Sequence, residues 1–304
     1  MTQAANQRVQ IVEVSPRDGL QADPANLSTA EKVELITRLV DAGNTRIEAT
    51  SFVSPKAVPK MADAAEVMAA VPRREGVKYS ALAFNAQGIE RAVAAGIDEI
   101  NGVIVASETF SQRNQNASVA ESIERWRVVS RAARAAGMVT SVTISAAFGC
   151  PYDGEVDPAA VLRIVEQLVD TSPDELCLAD TIGAAVPNLV REMIAAVQAI
   201  VGLDLPLRGH FHNTRSTGLA NISACLDGGV FIFDTSLGGV GGCPFAPRAT
   251  GNVPTEDVVH MVERMGYSTG LSLPSLIATT EWFEGVLGHS VPSLVAKAGP
   301  FPRV

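Results

Sequence analysis

Residues 139–179 read VTSVTISAAFGCPYDGEVDPAAVLRIVEQLVDTSPDELCLA, and three patterns succeed one another within them. Residues 139–145 are rich in β-branched side chains and read as a strand. Residues 158–169 are amphipathic and start at Pro158, whose missing N–H and fixed φ suit the first turn of a helix. Residues 175–179 return to a short apolar run, a second strand. Strand, helix and strand in that order form a crossover unit, which places its two strands parallel in one sheet.

The same unit recurs on both sides. Upstream, residues 9–14, 45–50, 77–83 and 98–105 read as strands, and residues 28–41, 58–70, 86–95 and 119–136 as helices. Ser28 with Glu31 three residues later has the spacing of a capping box. Gly43, Gly96 and Gly137 stand where a helix would end. Downstream come a helix at 187–201, a strand at 205–211, a helix at 217–226, a strand at 230–235 and a helix at 255–265. Eight strands alternate strictly with eight helices over about 265 residues, the length and rhythm of a closed α/β barrel rather than an open sheet. The fold expected is therefore a (β/α)8 TIM barrel over about 9–266. A C-terminal extension, 267–304, carries one more apolar helix and a Pro-rich end, all within a single domain of 1–304.

Composition narrows the function. The 304 residues are 47% hydrophobic and carry a net charge of −9, with no run of Lys or Arg. Nucleic-acid binding, which needs a basic face, is not expected. Residues 1–8 are polar, and no stretch has the length of a membrane span, so neither an export signal nor a membrane anchor is expected. Cys150, Cys177, Cys225 and Cys243 form no Cys-x-x-Cys pair, which fits free thiols in a reducing cytoplasm.

In such barrels the chemistry sits at the C-terminal ends of the strands. Arg17 and Asp18 follow the first strand, Glu48 ends the second, Cys150 follows the fifth and Asp180 the sixth. His210 and His212 end the seventh, and Cys243 and Asn252 follow the eighth. The chain has four histidines, and two of them share one strand end. Two residues apart on a strand, both imidazoles face the same side and can share one metal ion. With oxygens from Asp18 and Asn252 the donor set suits a divalent cation such as Mg²⁺, Mn²⁺ or Zn²⁺, without choosing among them. Otherwise the pair would be core histidines bonded to neighbours. Arg17 could clamp a carboxylate or polarised carbonyl oxygen, or form a plain surface pair with Asp18. Glu48, in an apolar run, needs an arginine, water or metal partner. Asp180 invites the same argument, or caps a helix. Residues 237–251, LGGVGGCPFAPRATG, hold five glycines and Cys243, which suits a mobile loop bearing a thiol or a phosphate-gripping loop. Cys150 in a similar Gly-Cys-Pro turn is a rival thiol, whereas Cys177 and Cys225 look structural.

Longer motifs then add up. They are 13–21 (EVSPRDGLQ), 48–55 (EATSFVSP) followed by Lys56 and Val58-Pro59, 107–110 (SETF), 149–154 (GCPYDG), 180–183 (DTIG), 241–244 (GGCP) and 249–257 (ATGNVPTED). In order and spacing the chain resembles the 3-hydroxy-3-methylglutaryl-CoA (HMG-CoA) lyases, whose wider group includes isopropylmalate and homocitrate synthases. The resemblance implies Asp18, His210, His212 and Asn252 as ligands of Mg²⁺ or Mn²⁺. It implies an acyl-CoA substrate, Arg17 beside the developing enolate, Glu48 and Asp180 orienting the site, and Cys243 as proton donor to the acetyl-CoA carbanion. His210 would serve both as ligand and in proton transfer. Cleavage would run in the retro-Claisen sense, with leucine breakdown as the default setting and a homodimer as the expected assembly.

The motif also departs from the family. Where the lyases read HCHDTYGQ, this chain reads HFHNTRST, and Ser15 stands where Gly is usual. Asn213 and Arg215 make the mouth of strand seven more positive. The reaction the resemblance implies is cleavage of HMG-CoA, or a close 3-hydroxyacyl-CoA, to acetyl-CoA and an oxo acid such as acetoacetate; the departures suggest an altered acyl pocket, with citramalyl-CoA or a longer branched hydroxyacyl-CoA as the alternative substrate. A condensing enzyme joining acetyl-CoA to a 2-oxo acid, an aldolase without CoA, and a non-catalytic barrel are the remaining readings.

Overall fold

The computed structural model describes residues 7–242 and 251–302. Eight parallel strands close into a barrel in sequence order. They are β1 Gln10–Glu13, β2 Arg46–Ser51, β3 Lys78–Leu82, β4 Glu99–Val105, β5 Val139–Ser145, β6 Glu175–Asp180, β7 Leu207–Phe211 and β8 Ile232–Thr235. Closure comes from β8 pairing with β1, where Ile11 opposes Phe233 and Glu13 opposes Thr235. The outer strand faces carry Ile11, Ile47, Ile100, Val142 and Leu176, all buried in the one large apolar cluster shared with the surrounding helices. That cluster is where the hydrophobic driving force for folding is concentrated.

The lumen is polar instead. Arg46 on β2 reaches Glu99 on β4 at 2.6 Å and Glu175 on β6 at 2.7 Å, contacts made across the barrel. Arg208 on β7 then meets Glu175 at 3.2 Å and Asp234 on β8 at 3.4 Å. Above this layer Asn101 accepts hydrogen bonds from Ser141 and Thr143 and donates to Glu48. A buried ionic layer of this kind stands only because each charge has partners.

Local rules place the helices. The Ser28 capping box is present in full: Glu31 N–H donates to Ser28 Oγ and Ser28 N–H donates to Glu31 at 2.7 Å. A second one, Ser118 with Glu121, starts the helix Val119–Ala135. The expected helix over 58–70 is divided into a 3-10 turn, Pro59–Met61, which Pro59 suits as a first position, and a helix, Ala64–Ala70. A helix at Glu108–Gln115 was not anticipated from the sequence. The tail holds two helices, Leu273–Leu287 and Leu294–Ala298, rather than one. Among the described residues no helix is long and apolar enough to cross a membrane.

Candidate active site

The chain leaves β1 through a tight turn, Ser15–Gly19, in which the amides of Arg17, Asp18 and Gly19 all point at the Val14 carbonyl. This turn lifts Arg17 and Asp18 over the barrel mouth. A Cβ on Gly19 would lie 2.7 Å from Val240, so the absence of a side chain lets the segment after β8 close onto the turn. Further along the chain, Asn252 pairs with His212 in a short antiparallel bridge. The bond from Val253 N–H to the Phe211 carbonyl, 3.1 Å, holds it there.

Asp18, His210 and His212 each present a donor atom within 4.8 Å of the other two, an arrangement able to hold a metal ion. Asn252 joins them: its Nδ2 donates to Asp18 Oδ2 at 2.8 Å. Its Oδ1 is buried and takes no hydrogen bond among the described residues. An orphaned amide oxygen is costly unless something else is meant to meet it, and a cation is such a partner. His210 Nδ1 is taken by Asp234 Oδ2 at 3.0 Å, which leaves Nε2 for an ion. Two imidazoles, a carboxylate and an amide oxygen fit a divalent cation.

Electrostatics agree with the geometry. Burial alone would raise the Asp18 carboxyl, but Arg17 and then the two histidines outweigh it and bring it down to about 2. Asp18 is therefore an anion at any physiological pH. Arg17 donates through Nη1 to Asp18 at 2.7 Å and through Nε to Glu48. Burial opposes its charge, but Glu48 and Asp18 hold it as a cation. The partner that Glu48 required is thus Arg17, with Asn101 bonded to its other oxygen at 3.2 Å.

Asp180 is buried, and its carboxyl accepts the amides of Ala184 and Ala185 at 2.8 and 3.0 Å. It braces the loop before the helix Pro187–Val201 without capping that helix, whose N-cap position is Val186. Its carbonyl accepts His212 N–H at 3.2 Å, which ties the loop to the site. Arg215 donates to the carbonyls of Ile182 and Gly183, both at 2.9 Å, and Asn213 accepts Gly218 N–H. Both side chains whose exchange suggested an altered acyl pocket are thus engaged with backbone of neighbouring loops.

Cys150 is buried in its own turn, 3.0 Å from Ser107 Oγ, with the amides of Tyr152 and Asp153 on its sulfur. Cys177 and Cys225 are buried on β6 and on the helix Gly218–Asp227; burial pushes the Cys177 thiol up to about 12 and Cys225 up as well. Cys243 lies outside the described residues. One site residue escaped the sequence reading: Asp234. Its signal was present, a single acid in the apolar run 230–235, the same cue that marked Glu48.

The HMGL-like family signature matches residues 8–282. The chain belongs to that family. This HMGL-like chain is 44% identical over 291 residues to the 3-hydroxy-3-isohexenylglutaryl-CoA/hydroxymethylglutaryl-CoA lyase of Pseudomonas aeruginosa, covering 96% of this chain and 97% of that one. It is 42% identical over 307 residues to an (R)-citramalyl-CoA lyase of Chloroflexus aurantiacus, covering 97% and 96%. Among solved structures, an HMG-CoA lyase of Acinetobacter baumannii, in complex with coenzyme A and 3-methylmalate, superposes with a TM-score of 0.93. It is 38% identical, with 98% of this chain and 97% of that one covered.

Proposed function

We propose that the chain is a divalent-metal-dependent carbon–carbon lyase that splits 3-hydroxy-3-methylglutaryl-CoA into acetyl-CoA and acetoacetate. The observation that carries the reading is one cluster at the barrel mouth: Asp18, His210 and His212 facing one point, beside the buried, unbonded oxygen of Asn252 and the Arg17 cation. The relatives support an acyl-CoA substrate, and a coenzyme A complex exists for one of them.

Asp18, His210, His212 and Asn252 would hold Mg²⁺ or Mn²⁺, and such an ion supplies Lewis-acid polarisation of the substrate's hydroxyl and a neighbouring oxygen. The C3 hydroxyl loses its proton to a base at the site and becomes a carbonyl as the C2–C3 bond breaks. The bond's electron pair moves onto C2 and the thioester oxygen. Arg17, fixed by Glu48 and Asp18, offers positive charge to that oxygen without having to reorganise. Protonation of C2 completes acetyl-CoA, and Cys243 is the proposed donor. Asp180 acts on this site indirectly, by bracing the loop bonded to His212.

A second reading, citramalyl-CoA cleaved to acetyl-CoA and pyruvate, is favoured by the 42% identity to the Chloroflexus enzyme. A panel of the two thioesters, with product identification, separates the readings. Preferred turnover of HMG-CoA supports the first. Preferred turnover of citramalyl-CoA keeps the chemistry and changes the substrate. Acetyl-CoA from neither overturns the lyase reading.

A further inference from the structure

Asp234 is wholly enclosed in the barrel, and its two oxygens face different groups. Oδ2 lies 3.0 Å from His210 Nδ1. Oδ1 faces Arg208 Nε at 3.4 Å and takes no hydrogen bond among the described residues. A carboxylate present only to neutralise Arg208 would turn its short, aligned contacts toward the guanidinium. Here the short contact goes to the imidazole instead. Arg208 is itself held by Glu175 at 3.2 Å, and Glu175 by Arg46 at 2.7 Å. The chain of contacts runs from the barrel floor up to His210.

We infer that Asp234 is a positioning residue: it fixes the His210 ring with the proton on Nδ1 and aims Nε2 at the metal, while Arg208 keeps Asp234 in register. The inference rests on the metal-site reading. A neutral imidazole has two tautomers and can turn about its ring axis, and either change withdraws the Nε2 lone pair from an ion. A buried carboxylate at Nδ1 selects one tautomer and one orientation, and it makes Nε2 a stronger donor. Asp234 does not touch substrate; it acts through His210.

Two measurements test this. The first is Mn²⁺ affinity by EPR titration of the full-length chain and of Asp234→Asn. An asparagine can offer Nδ1 an N–H and so favour the opposite tautomer. The variant is expected to bind Mn²⁺ about 10–100-fold more weakly than wild type. Affinity within twofold of wild type, in a variant with an unchanged circular dichroism spectrum, would overturn the inference and leave the metal site standing. No Mn²⁺ uptake by wild type would remove the metal reading, and the inference with it. The second measurement needs no variant. In the Mg²⁺-loaded wild type with ¹⁵N-labelled histidine, NMR is expected to show His210 protonated on Nδ1. A bare Nδ1 would contradict the inference even if Asp234→Asn fails to fold.

Discussion

Arg17 stands between two carboxylates, and that placement distinguishes it from a surface pair. A lysine there would keep the charge but would have a single flexible nitrogen in place of the planar fork whose Nε and Nη1 meet Glu48 and Asp18 separately. Arg17→Lys is therefore expected to lower kcat by about 10²–10³-fold, the loss typical of removing one preorganised donor to a developing oxyanion. Steady-state kinetics beside circular dichroism would check it; a variant with near wild-type kcat would show that Arg17 is structural. At this scale the sequence was legible where chemistry follows a strand. Asking what stands at strand ends picks out Arg17, Asp18, His210, His212 and Asn252 as candidates, and the structure gathers them at one mouth. Asp234 was missed because it lies inside β8, facing the lumen, where that question does not look. For Asn213 and Arg215 the sequence gives the residue types but not their backbone partners: Asn213 accepts Gly218 N–H, and Arg215 donates to the carbonyls of Ile182 and Gly183.

Elements were legible wherever a periodic apolar face met a clear boundary. The helix Glu108–Gln115 has Phe110 as its one large apolar side chain, so no periodicity marked it; Ser107 Oγ accepting Phe110 N–H starts it, and Asn116 ends it at φ 48°. The glycine in β4 has a tertiary reason that no local pattern carries. A Cβ on Gly102 would lie 2.2 Å from Trp126 Cε3, on the helix Val119–Ala135. Gly102→Ala is expected to push that helix outward and cost about 1–3 kcal/mol, as overpacking of a core does. Urea denaturation would measure it, and a loss below 0.5 kcal/mol (roughly the spread of neutral surface changes) would contradict the tight contact. The segment after β8 is anchored differently. Glu256, on the helix Thr255–Arg264, is fully buried and accepts from Gly238 N–H at 3.0 Å and from Thr280. Burial pushes its carboxyl up to about 8. Between about pH 4.5 and 8 the unfolded chain gives up this proton while the folded chain keeps it, so this group's share of stability falls as pH rises through that window. Glu256→Gln should therefore gain in Tm relative to wild type as pH rises from 5 to 8. A Tm difference that does not change with pH would show that Glu256 is ionised in the fold.

The whole molecule is a barrel whose outside is apolar and whose lumen is charged, and the second half of that statement was hidden. Strand-by-strand reading has no means of pairing Arg46 with Glu99 and Glu175, since these contacts across the lumen join residues 53 and 129 positions apart. Removing Arg46 would leave Glu99 and Glu175 without their main partner. Arg46→Ala is expected to destabilise by about 3–5 kcal/mol, the cost of stripping one side of a buried ion pair. A thermal melt would register the drop, and an unchanged Tm would mean that water or other cations replace the arginine. This floor supports the mouth, and the function proposed for the mouth depends on an ion there. The most direct test strips the chain with a chelator and follows acetyl-CoA release from 3-hydroxy-3-methylglutaryl-CoA as Mg²⁺ or Mn²⁺ is returned, beside His210→Ala and Cys243→Ala. The account predicts no turnover without metal, recovery on its return, and loss of turnover in both variants, with Mn²⁺ affinity falling in His210→Ala but not in Cys243→Ala. Full turnover by the stripped wild-type chain, or by His210→Ala, would contradict it.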